Sequence, residues 1–396
     1  MDISNKLANR VTSLKASAIR EIFKMVGKSD VISFAGGIPS PELFPAKEFG
    51  EITKKIMEEG GAKGLVYGIT EGYAPLIEIV EERNKKIGVG KEFDQTIITT
   101  GAQQAIDLVG KALLNEGDGV IVEAPSFIGS LNSFRSYNAK LYDVEVEEDG
   151  INTDKVEELL KENRNIKFIY TIPTFQNPTG ITLSIEKRKK LLEIAKKYDC
   201  LILEDNPYGE LRFKGEDVAT IKSFDDEGRV IYVGSFSKTL APGIRVGFLT
   251  CHKDIMDRVV VVKQVNDVHT TLMMQMMVCE FIKQYDFDAH IKKASKVCGE
   301  KCALMIECAK KYFPDCIKVT NPDGGIFLWC EMPKGIDTGV IFEKCVEKKV
   351  AFVPGRTCMA DIDAPSNCFR LNYTTVSNEK IEEGMKILGD VLKEYV

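Results

Sequence analysis

The sequence has few of the residues that metal sites and nucleic-acid-binding surfaces need. Its three histidines, at positions 252, 269 and 290, are far apart, and its eleven cysteines include no Cys-x-x-Cys pair. Cys298 and Cys302 lie one helical turn apart and Cys308 follows, but this spacing without a nearby histidine does not predict a metal site. The net charge is −6 and there is no basic tail, so we expect no metal and no nucleic-acid partner.

Long apolar runs and targeting signals are also missing. No run approaches the roughly 18 apolar residues of a membrane-spanning helix, and Met1–Asn5 does not begin the apolar core of a signal peptide. The cysteines are scattered rather than arranged as a disulfide framework, which is typical of thiols in a reducing compartment. We therefore expect a cytoplasmic protein with no membrane partner.

Two well-known motifs are present only in part. Gly27–Ser29 matches the end of a phosphate-binding loop, but residue 22 is isoleucine where that motif needs glycine. Ser235 and Lys238 have the Ser-x-x-Lys spacing of serine acyl-transfer enzymes, yet the chain contains neither Ser-Asp-Asn nor Lys-Thr-Gly. Neither motif therefore predicts a function.

Lys238 is the residue that points most directly to chemistry. The apolar run 229–234 predicts a buried strand, so Lys238 follows a strand end, where open α/β sheets bind ligands. Ser235, Ser237 and Arg245 are suited to a phosphate dianion, and a desolvated lysine beside a cation loses its proton more easily. Pyridoxal phosphate requires these parts, although Ser-x-Ser-Lys is also a common turn.

A carboxylate follows a second predicted strand. Residues 201–204 predict another buried strand, and Asp205 and Tyr208 come after it. Asp205 is suited to pair with the protonated pyridine nitrogen of the cofactor, which keeps the ring an electron sink, and Tyr208 is suited to bond the ring's 3-oxygen. Alone, Asp205 would be an ordinary loop or helix-capping aspartate. Beside a lysine that can form an imine, a cofactor role is favoured.

Gly101 and Phe127 follow two further predicted strands. Gly101 separates the strand 96–100 from a helix that is expected to reach about Leu114. Such a turn offers free N–H groups and the positive end of a helix dipole to an anion, which fits the same phosphate. After the strand 120–123, Phe127 could stack on the pyridine face or belong to the core.

Asn177 and Arg370 are the candidate substrate contacts. Asn-Pro-Thr-Gly at 177–180 is first of all a turn, but an amide there could bond both the cofactor's 3-oxygen and a substrate carboxylate. Arg370 interrupts an apolar, strand-like run. A buried arginine is tolerable where it faces a cleft and binds a carboxylate with two hydrogen bonds.

Over nearly the whole chain, these motifs resemble the fold-type I pyridoxal-phosphate enzymes of the aspartate aminotransferase superfamily. The resemblance implies that Lys238 forms the Schiff base and moves protons, that Asp205 binds the pyridine nitrogen, and that Arg370 binds the substrate α-carboxylate. It assigns the 3-oxygen to Tyr208 and Asn177. It assigns the phosphate and its surroundings to Gly101, Ala102, Gln103, Ser235, Ser237 and Arg245.

Tyr67 and Phe127 bear on assembly and on the cofactor ring. The segment around Tyr67 resembles the one whose tyrosine reaches the phosphate of the neighbouring subunit, which implies a homodimer with shared active sites. Phe127 is a departure, because many relatives have tyrosine there. Stacking would survive, but a hydroxyl contact would be lost.

The N-terminal part narrows the resemblance. Residues 16–21 and 32–39 are similar to the 2-aminoadipate aminotransferase group, which includes kynurenine-type enzymes. That similarity implies that Arg20 lies on a mobile helix and can meet the distal carboxylate of an acidic substrate, and that the backbone near Gly37 approaches the α-carboxylate. Arg20 could instead be one charge on a solvated helix face.

The expected fold is α/β, the fold-type I transferase fold, with a mostly parallel, helix-covered sheet in a large domain and a smaller α+β domain. The expected division is an N-terminal segment (1–45) that packs with the small domain, a large cofactor-binding domain (46–284) and a small C-terminal domain (285–396). In the C-terminal third, a long helical stretch is expected around 281–312, with short strands near 325–329 and 350–353.

The expected reaction is ping-pong transamination. The amino group would come from 2-aminoadipate or from an aromatic or aliphatic amino acid, and 2-oxoglutarate is the expected acceptor. Two alternatives stay open at this point. One is another reaction of the same cofactor, β-elimination or decarboxylation, and the other is a regulator that keeps an aminotransferase-like domain as a sensor.

Overall fold

The computed structural model describes residues 6–12, 14 and 31–396. Arg20 and the rest of the 16–21 motif lie outside the described residues. Within the described part of the chain, no helix combines the length and the apolar character that crossing a membrane requires.

Short strands alternate with helices along most of the described chain. The strands are β1 (Ile32–Ser33), β2 (Asp94–Thr99), β3 (Gly119–Ala124), β4 (Lys140–Glu147), β5 (Gly150–Ile151), β6 (Ile166–Thr171), β7 (Leu201–Asp205), β8 (Val230–Ser235), β9 (Gly247–His252), β10 (Lys318–Val319), β11 (Phe327–Glu331), β12 (Val350–Ala351), β13 (Val353–Pro354) and β14 (Cys368–Asn372). The α-helices are α1 (Asn9–Thr12), α2 (Ala46–Gly60), α3 (Ala74–Lys86), α4 (Ala102–Leu113), α5 (Ile128–Arg135), α6 (Thr153–Glu162), α7 (Ile185–Lys197), α8 (Lys253–Asn266), α9 (Leu272–Gln284), α10 (Phe287–Tyr312), α11 (Thr338–Glu347) and α12 (Asn378–Leu392).

The larger sheet has eight strands in the order β2-β9-β8-β7-β6-β3-β4-β5. Its central strands, from β8 to β4, run parallel to one another. On one side β9 pairs antiparallel with β8 and β2 pairs antiparallel with β9, and on the other side β5 pairs antiparallel with β4. Every residue of β8 is buried, which explains why this strand is a continuous apolar run instead of an alternating one. The predicted α/β fold class is confirmed.

A second, antiparallel sheet lies in the C-terminal third, with the strand order β10-β11-β14-β13. The N-terminal strand β1 pairs in parallel with β12, so that Ile32 lies opposite Val350 and Ser33 lies opposite Ala351. This pairing attaches the chain that follows residue 31 to the C-terminal part of the molecule.

The structure divides two of the segments expected in the C-terminal third into separate elements. The helix expected over 281–312 is divided into α9 and α10, because Asp286 caps the second helix: its carboxylate accepts a hydrogen bond from the Ala289 backbone N–H at 2.9 Å. The strand expected over 350–353 is divided between β12, which pairs with β1, and β13, which pairs with β14.

Candidate active site

The site forms where the parallel strands of the larger sheet end. β6 leads into the loop that contains Asn177, β7 ends at Asp205, and β8 ends at Ser235 just before Lys238. Parallel strands present their carboxyl ends at one edge of a sheet. These polar residues therefore come together although they are far apart in the sequence.

The Lys238 amine lies in surroundings that disfavour its charged form. Burial lowers the pKa of Lys238 to about 8, and the positive charges of Arg370 and Arg245 act in the same direction. The negative charge of Asp205 opposes them. The Nζ atom donates a hydrogen bond to the Gly37 carbonyl at 2.5 Å. A lysine amine that is partly neutral near pH 7 is nucleophilic.

Arg245 and Gly101 form a close-packed turn that is suited to an anion. Arg245 donates hydrogen bonds to Ser237 Oγ at 3.4 Å and to the Thr100 carbonyl at 3.2 Å. A β-carbon on Gly101 would lie 2.3 Å from Arg245 Nη2, and Gly101 has a φ of 75°. Only glycine fits there. Ser235 is also part of this turn, because its Oγ accepts a hydrogen bond from the Ser237 N–H at 3.1 Å.

Gln103 can contribute to this turn through its backbone, but its side chain is used elsewhere. The side-chain amide donates hydrogen bonds to the Gly129 carbonyl at 3.0 Å and to Ser133 Oγ at 2.8 Å, both in α5. The backbone N–H groups of Ala102 and Gln103 lie in the first turn of α4, where N–H groups are free to bind a phosphate.

Asp205 has one carboxylate oxygen with a partner and one without. Oδ2 accepts a hydrogen bond from the Tyr170 hydroxyl at 2.8 Å, whereas the buried Oδ1 has no hydrogen-bond partner among the described residues. Burial raises the pKa of Asp205 to about 7. A buried acceptor without a donor is costly, and a protonated pyridine nitrogen would satisfy it. The residues present therefore fit pyridoxal phosphate.

A chain of polar contacts joins Tyr208, Asn177 and Arg370. The Asn177 amide donates a long hydrogen bond to the Tyr208 hydroxyl at 3.4 Å, and Asn177 Oδ1 accepts one from Arg370 Nη1 at 2.8 Å. Arg370 Nη2 donates to the Ala35 carbonyl at 2.9 Å, and the guanidinium carbon lies 4.1 Å from the centre of the Phe327 ring. These contacts hold the guanidinium rigidly beside the amide, as binding of a carboxylate requires.

Two of the predicted site residues, Phe127 and Tyr67, are not linked to the polar residues around Lys238 by the contacts within a single chain. Phe127 directly precedes α5, and its partly buried side chain packs against the hydrophobic core. Tyr67 is 86% exposed, and its ring packs edge-on against His269 at 5.8 Å. The predicted contact of Arg20 lies outside the described residues.

Arg188 is a buried side chain that the sequence did not reveal. It is fully buried in α7 and donates hydrogen bonds to the Pro173 carbonyl at 2.6 Å, to Thr174 Oγ1 at 2.9 Å and to the Leu183 carbonyl at 2.9 Å. Arg188 thus holds both ends of the loop that contains Asn177. Because α7 is rich in lysine, the sequence gave no signal that the side chain of Arg188 points inward.

Glu123 supports the same loop from the end of β3. Its carboxylate accepts hydrogen bonds from Thr171 Oγ1 at 2.5 Å, from the Ile172 N–H at 3.2 Å and from Gln176 Nε2 at 3.0 Å. Gln176 in turn accepts from the Thr179 N–H at 2.9 Å. An acidic residue that ends an apolar strand was the signal that could have found Glu123.

The cysteines of α10 are not part of a cluster of potential metal ligands in the described part of the chain. Among residues 6–12, 14 and 31–396, no group of three or more potential metal ligands comes together. Burial raises the pKa of the Cys298 and Cys302 thiols to about 12. The absence of a metal stays a prediction.

Known proteins resemble this chain over its whole length. Residues 52–388 match the family described as aminotransferase class I and II. The chain is 41% identical, over 399 residues, to aromatic-amino-acid aminotransferase 1 of Thermococcus litoralis, with 100% of this chain and 95% of that protein covered.

Two solved structures are similar to the present one. The kynurenine aminotransferase of Pyrococcus horikoshii is 38% identical and has a TM-score of 0.95, with 100% of this chain and 98% of that chain covered. The alpha-aminoadipate aminotransferase of Thermus thermophilus, solved with N-(5'-phosphopyridoxyl)-L-leucine, is 39% identical and has a TM-score of 0.93, covering 100% and 99%. The resemblance predicted from the motifs is confirmed.

Proposed function

The chain belongs to the aminotransferase class I and II family, and we propose that it carries out ping-pong transamination with Lys238 as the catalytic lysine. As a member of this family it is a pyridoxal-phosphate-dependent enzyme that transfers an amino group from an amino acid to a 2-oxo acid. Neither another reaction of the cofactor nor a regulatory role is favoured, since these relatives are named as aminotransferases. The observation that carries the proposal is the position of Lys238 just after the end of β8, where its amine donates to the Gly37 carbonyl at 2.5 Å. The charges of Arg370, Arg245 and Asp205 act on its pKa there.

Lys238 is suited to attach the cofactor and to move a proton. With a pKa of about 8, a useful fraction of its amine is neutral near pH 7 and can accept a proton from the substrate α-carbon. The Gly37 carbonyl accepts one of the amine N–H groups and so fixes the direction of the remaining ones. When bound, pyridoxal phosphate supplies a carbonyl group that lysine can attack and a pyridine ring that withdraws electrons.

We assign the cofactor contacts to the polar atoms that remain available. Asp205 Oδ1 would accept the pyridine N–H, and Tyr208 with Asn177 would bind the 3-oxygen. Phe127 would cover one face of the ring. The phosphate would be held by the turn and strand-end residues Gly101, Ala102, Gln103, Ser235, Ser237 and Arg245.

We propose that the substrates include both aromatic amino acids and 2-aminoadipate. Support comes from the names of the relatives, which are aminotransferases of aromatic amino acids, kynurenine and alpha-aminoadipate. Arg370, with the backbone near Gly37, would bind the α-carboxylate that all amino acids share. Discrimination then depends on the distal end of the substrate, where Arg20 would pair with a second carboxylate.

Replacing Arg20 with alanine tests this proposal. Arg20→Ala should raise KM for 2-aminoadipate about tenfold or more, the effect expected for losing a charge-assisted hydrogen bond. KM for phenylalanine and leucine should stay unchanged, because these substrates have no distal carboxylate. Steady-state kinetics with each donor and 2-oxoglutarate give the comparison. Equal losses for acidic and apolar donors would contradict the proposed role of Arg20.

We further propose a homodimer in which Tyr67 of each subunit binds the phosphate of the other. Leu65, Tyr67 and Ile69 are 68%, 86% and 62% exposed, and Val265 is 77% exposed. Because the Tyr67 ring packs on His269, these two exposed apolar segments lie next to each other. Large apolar patches of this kind are typical of protein interfaces.

We retain the predicted domain division and cellular location as proposals. The pairing of β1 with β12 supports assigning residues 1–45 to the side of the small domain. The break between α9 and α10 supports a boundary between residues 284 and 285. The free thiols of all eleven cysteines are typical of the reducing cytoplasm.

A further inference from the structure

Ser130, Tyr170 and Asp205 form a chain of buried hydrogen bonds that ends beneath the proposed cofactor ring. We propose that Tyr170, backed by Ser130, is a positioning residue that directs the Asp205 carboxylate and keeps its free oxygen an acceptor for the pyridine nitrogen. This inference rests on the proposed function and deepens it, since it names what controls the partner of the cofactor ring.

The direction of each hydrogen bond in this chain follows from the number of protons available. Ser130 Oγ donates to the Tyr170 oxygen at 2.7 Å, and the Tyr170 hydroxyl donates to Asp205 Oδ2 at 2.8 Å. Tyr170 has one hydroxyl proton, so it cannot serve Asp205 and any other acceptor at once. Ser130 and Tyr170 are fully buried and Asp205 is 2% exposed, so water does not compete.

The fold holds the Tyr170 hydroxyl in one direction. Tyr170 lies on β6, next to β7, which ends at Asp205. Its ring packs edge-on against Phe134 with the ring centres 5.4 Å apart. Phe134 and Ser130 are one turn apart on α5, so one helix supports both the ring and the hydroxyl of Tyr170.

Because of the charges around Asp205, the protonation state of its carboxylate depends on the hydrogen bond from Tyr170. Burial raises the pKa of Asp205 to about 7, and Glu123 acts in the same direction. The Tyr170 hydrogen bond and the positive charge of Lys238 act against it. Tyr208 and Tyr232 also face Asp205, but burial raises the pKa of both, so they stay neutral hydroxyls.

The consequence of removing the hydroxyl can therefore be given a sign. Without the Tyr170 proton, the Asp205 carboxylate binds a proton more strongly. A protonated carboxyl group donates to the pyridine nitrogen instead of accepting from it, and the ring then withdraws electrons less. In this way the Tyr170 hydroxyl controls whether the proton between Asp205 and the pyridine nitrogen is held by the nitrogen or by the carboxylate.

The direct test measures the protonation of the pyridine nitrogen in the cofactor-loaded protein. Pyridoxal phosphate labelled with ¹⁵N in the ring is bound to the wild-type protein and to Tyr170→Phe, and the nitrogen chemical shift is followed with pH. Phenylalanine keeps the contact with Phe134 and removes only the hydroxyl. We expect the nitrogen of Tyr170→Phe to lose its proton about one pH unit lower than in the wild type.

Binding and stability measurements complete the test. The Kd of Tyr170→Phe for pyridoxal phosphate should rise about tenfold, because an Asp205 that holds its own proton no longer offers a negative charge to the protonated pyridine nitrogen. Ser130→Ala should shift the nitrogen signal in the same direction by a smaller amount, because it leaves the Tyr170 donor in place. Ser130→Ala also carries the test if Tyr170→Phe does not fold.

Tyr142→Phe is the matched control. Tyr142 lies on β4 of the same sheet, and its hydroxyl donates to Asn163 Oδ1 at 3.0 Å instead of to Asp205. It should leave both the nitrogen signal and the Kd unchanged. A Tyr170→Phe protein with the wild-type nitrogen signal and Kd would overturn the proposed role of Tyr170.

The test also separates this inference from the proposed function. If the wild-type nitrogen signal does not respond to Asp205→Asn, the assignment of Asp205 fails, and the role of Tyr170 fails with it. If the signal responds to Asp205→Asn but not to Tyr170→Phe or Ser130→Ala, only the role of the hydroxyl chain fails.

Discussion

Two lysines of this chain, Lys238 and Lys222, lie in opposite electrostatic surroundings. Burial lowers the pKa of Lys238 to about 8, with nearby arginines acting in the same direction. Lys222, by contrast, is fully buried but donates hydrogen bonds to Asp94 at 2.8 Å and to Asp225 at 3.0 Å. The first lysine is prepared for reaction at a cost in stability, and the second forms part of the framework.

Replacing Lys238 with methionine should stabilise the cofactor-free protein. A pKa lowered from 10.5 to about 8 corresponds to a cost of up to ~3 kcal/mol. Because the folded pKa is the lower one, this cost is fully present below about pH 8 and disappears as the pH rises to 10.5. The free energy of unfolding in urea, measured near pH 7 and near pH 10, should show a gain for Lys238→Met at the lower pH only.

Lys222→Met is the control with the opposite expected sign. Removing this cation leaves two buried carboxylates without their partner, which should destabilise the protein by about 3–5 kcal/mol. If Lys238→Met destabilised the cofactor-free protein at both pH values as Lys222→Met does, the Lys238 amine would not be held in an unfavourable environment.

Single residues could be predicted where a polar side chain follows a buried strand. Lys238, Asp205 and Asn177 gave this signal, and the structure brings them together. Tyr170 did not, because a tyrosine inside an apolar strand looks like core, and its partner Asp205 is 35 positions away on the next strand. Arg188 was missed for a similar reason, since most of its acceptors are backbone carbonyls, which no sequence pattern marks.

At the scale of elements, the turn between β2 and α4 depends on one glycine. Gly101 has a φ of 75°, and a β-carbon there would lie 2.3 Å from Arg245 Nη2. Gly101→Ala should therefore displace the guanidinium from the phosphate turn and raise the Kd for pyridoxal phosphate about tenfold or more. Titration of the cofactor-free protein with pyridoxal phosphate measures this change.

Gly243→Ala is the matched control for that turn. Gly243 lies two positions before Arg245 in the sequence, but a β-carbon on Gly243 would meet no atom within 4 Å. This variant should bind the cofactor like the wild type. Equal losses in both variants would mean that the close approach of Arg245 to Gly101 is not needed for cofactor binding.

Elements were predictable where hydrophobic pattern and end signals agree. The charged, amphipathic pattern over 184–198 predicts a helix, and the structure has α7 there, Ile185–Lys197, capped by Ser184, whose hydroxyl accepts from the Lys187 N–H at 3.4 Å. The break at Asp286 was missed, because the apolar pattern continues across it while a single capping carboxylate begins a new helix. A local cap can therefore outweigh a longer periodicity.

At the scale of the whole molecule, the exposed apolar residues around Tyr67 predict how the subunits assemble. Ile69→Asp places a charge on a side chain that is 62% exposed in the single chain. If this surface is the dimer interface, the substitution should halve the mass in solution and weaken retention of pyridoxal phosphate, because Tyr67 no longer reaches the other subunit. Sedimentation measures the mass, and the cofactor content of the protein recovered from gel filtration measures the retention of pyridoxal phosphate.

Val340→Asp is the control for the assembly. Val340 is 55% exposed on α11, in the C-terminal third, and its substitution should leave the mass and the cofactor content unchanged. A dimer that survives Ile69→Asp with its full cofactor content would contradict the proposed interface.

The fold class of the whole molecule followed from the alternation of strand-like and helical runs between about residues 96 and 250. The attachment of β1 to β12 did not, because two residues paired with a segment more than 300 positions away leave no local pattern. Function was predictable because Lys238, Asp205, Asn177 and Arg370 occur together. Their resemblance to a family, and not their spacing alone, supplied the roles.

The most direct measurement is the visible absorption spectrum of the cofactor-loaded protein before and after addition of 2-aminoadipate without any 2-oxo acid. The predicted result is loss of the yellow band and its return on addition of 2-oxoglutarate, with neither change in Lys238→Ala. A protein that cannot take up pyridoxal phosphate, or a yellow protein whose band no amino acid removes, would contradict the assignment of Lys238 to transamination.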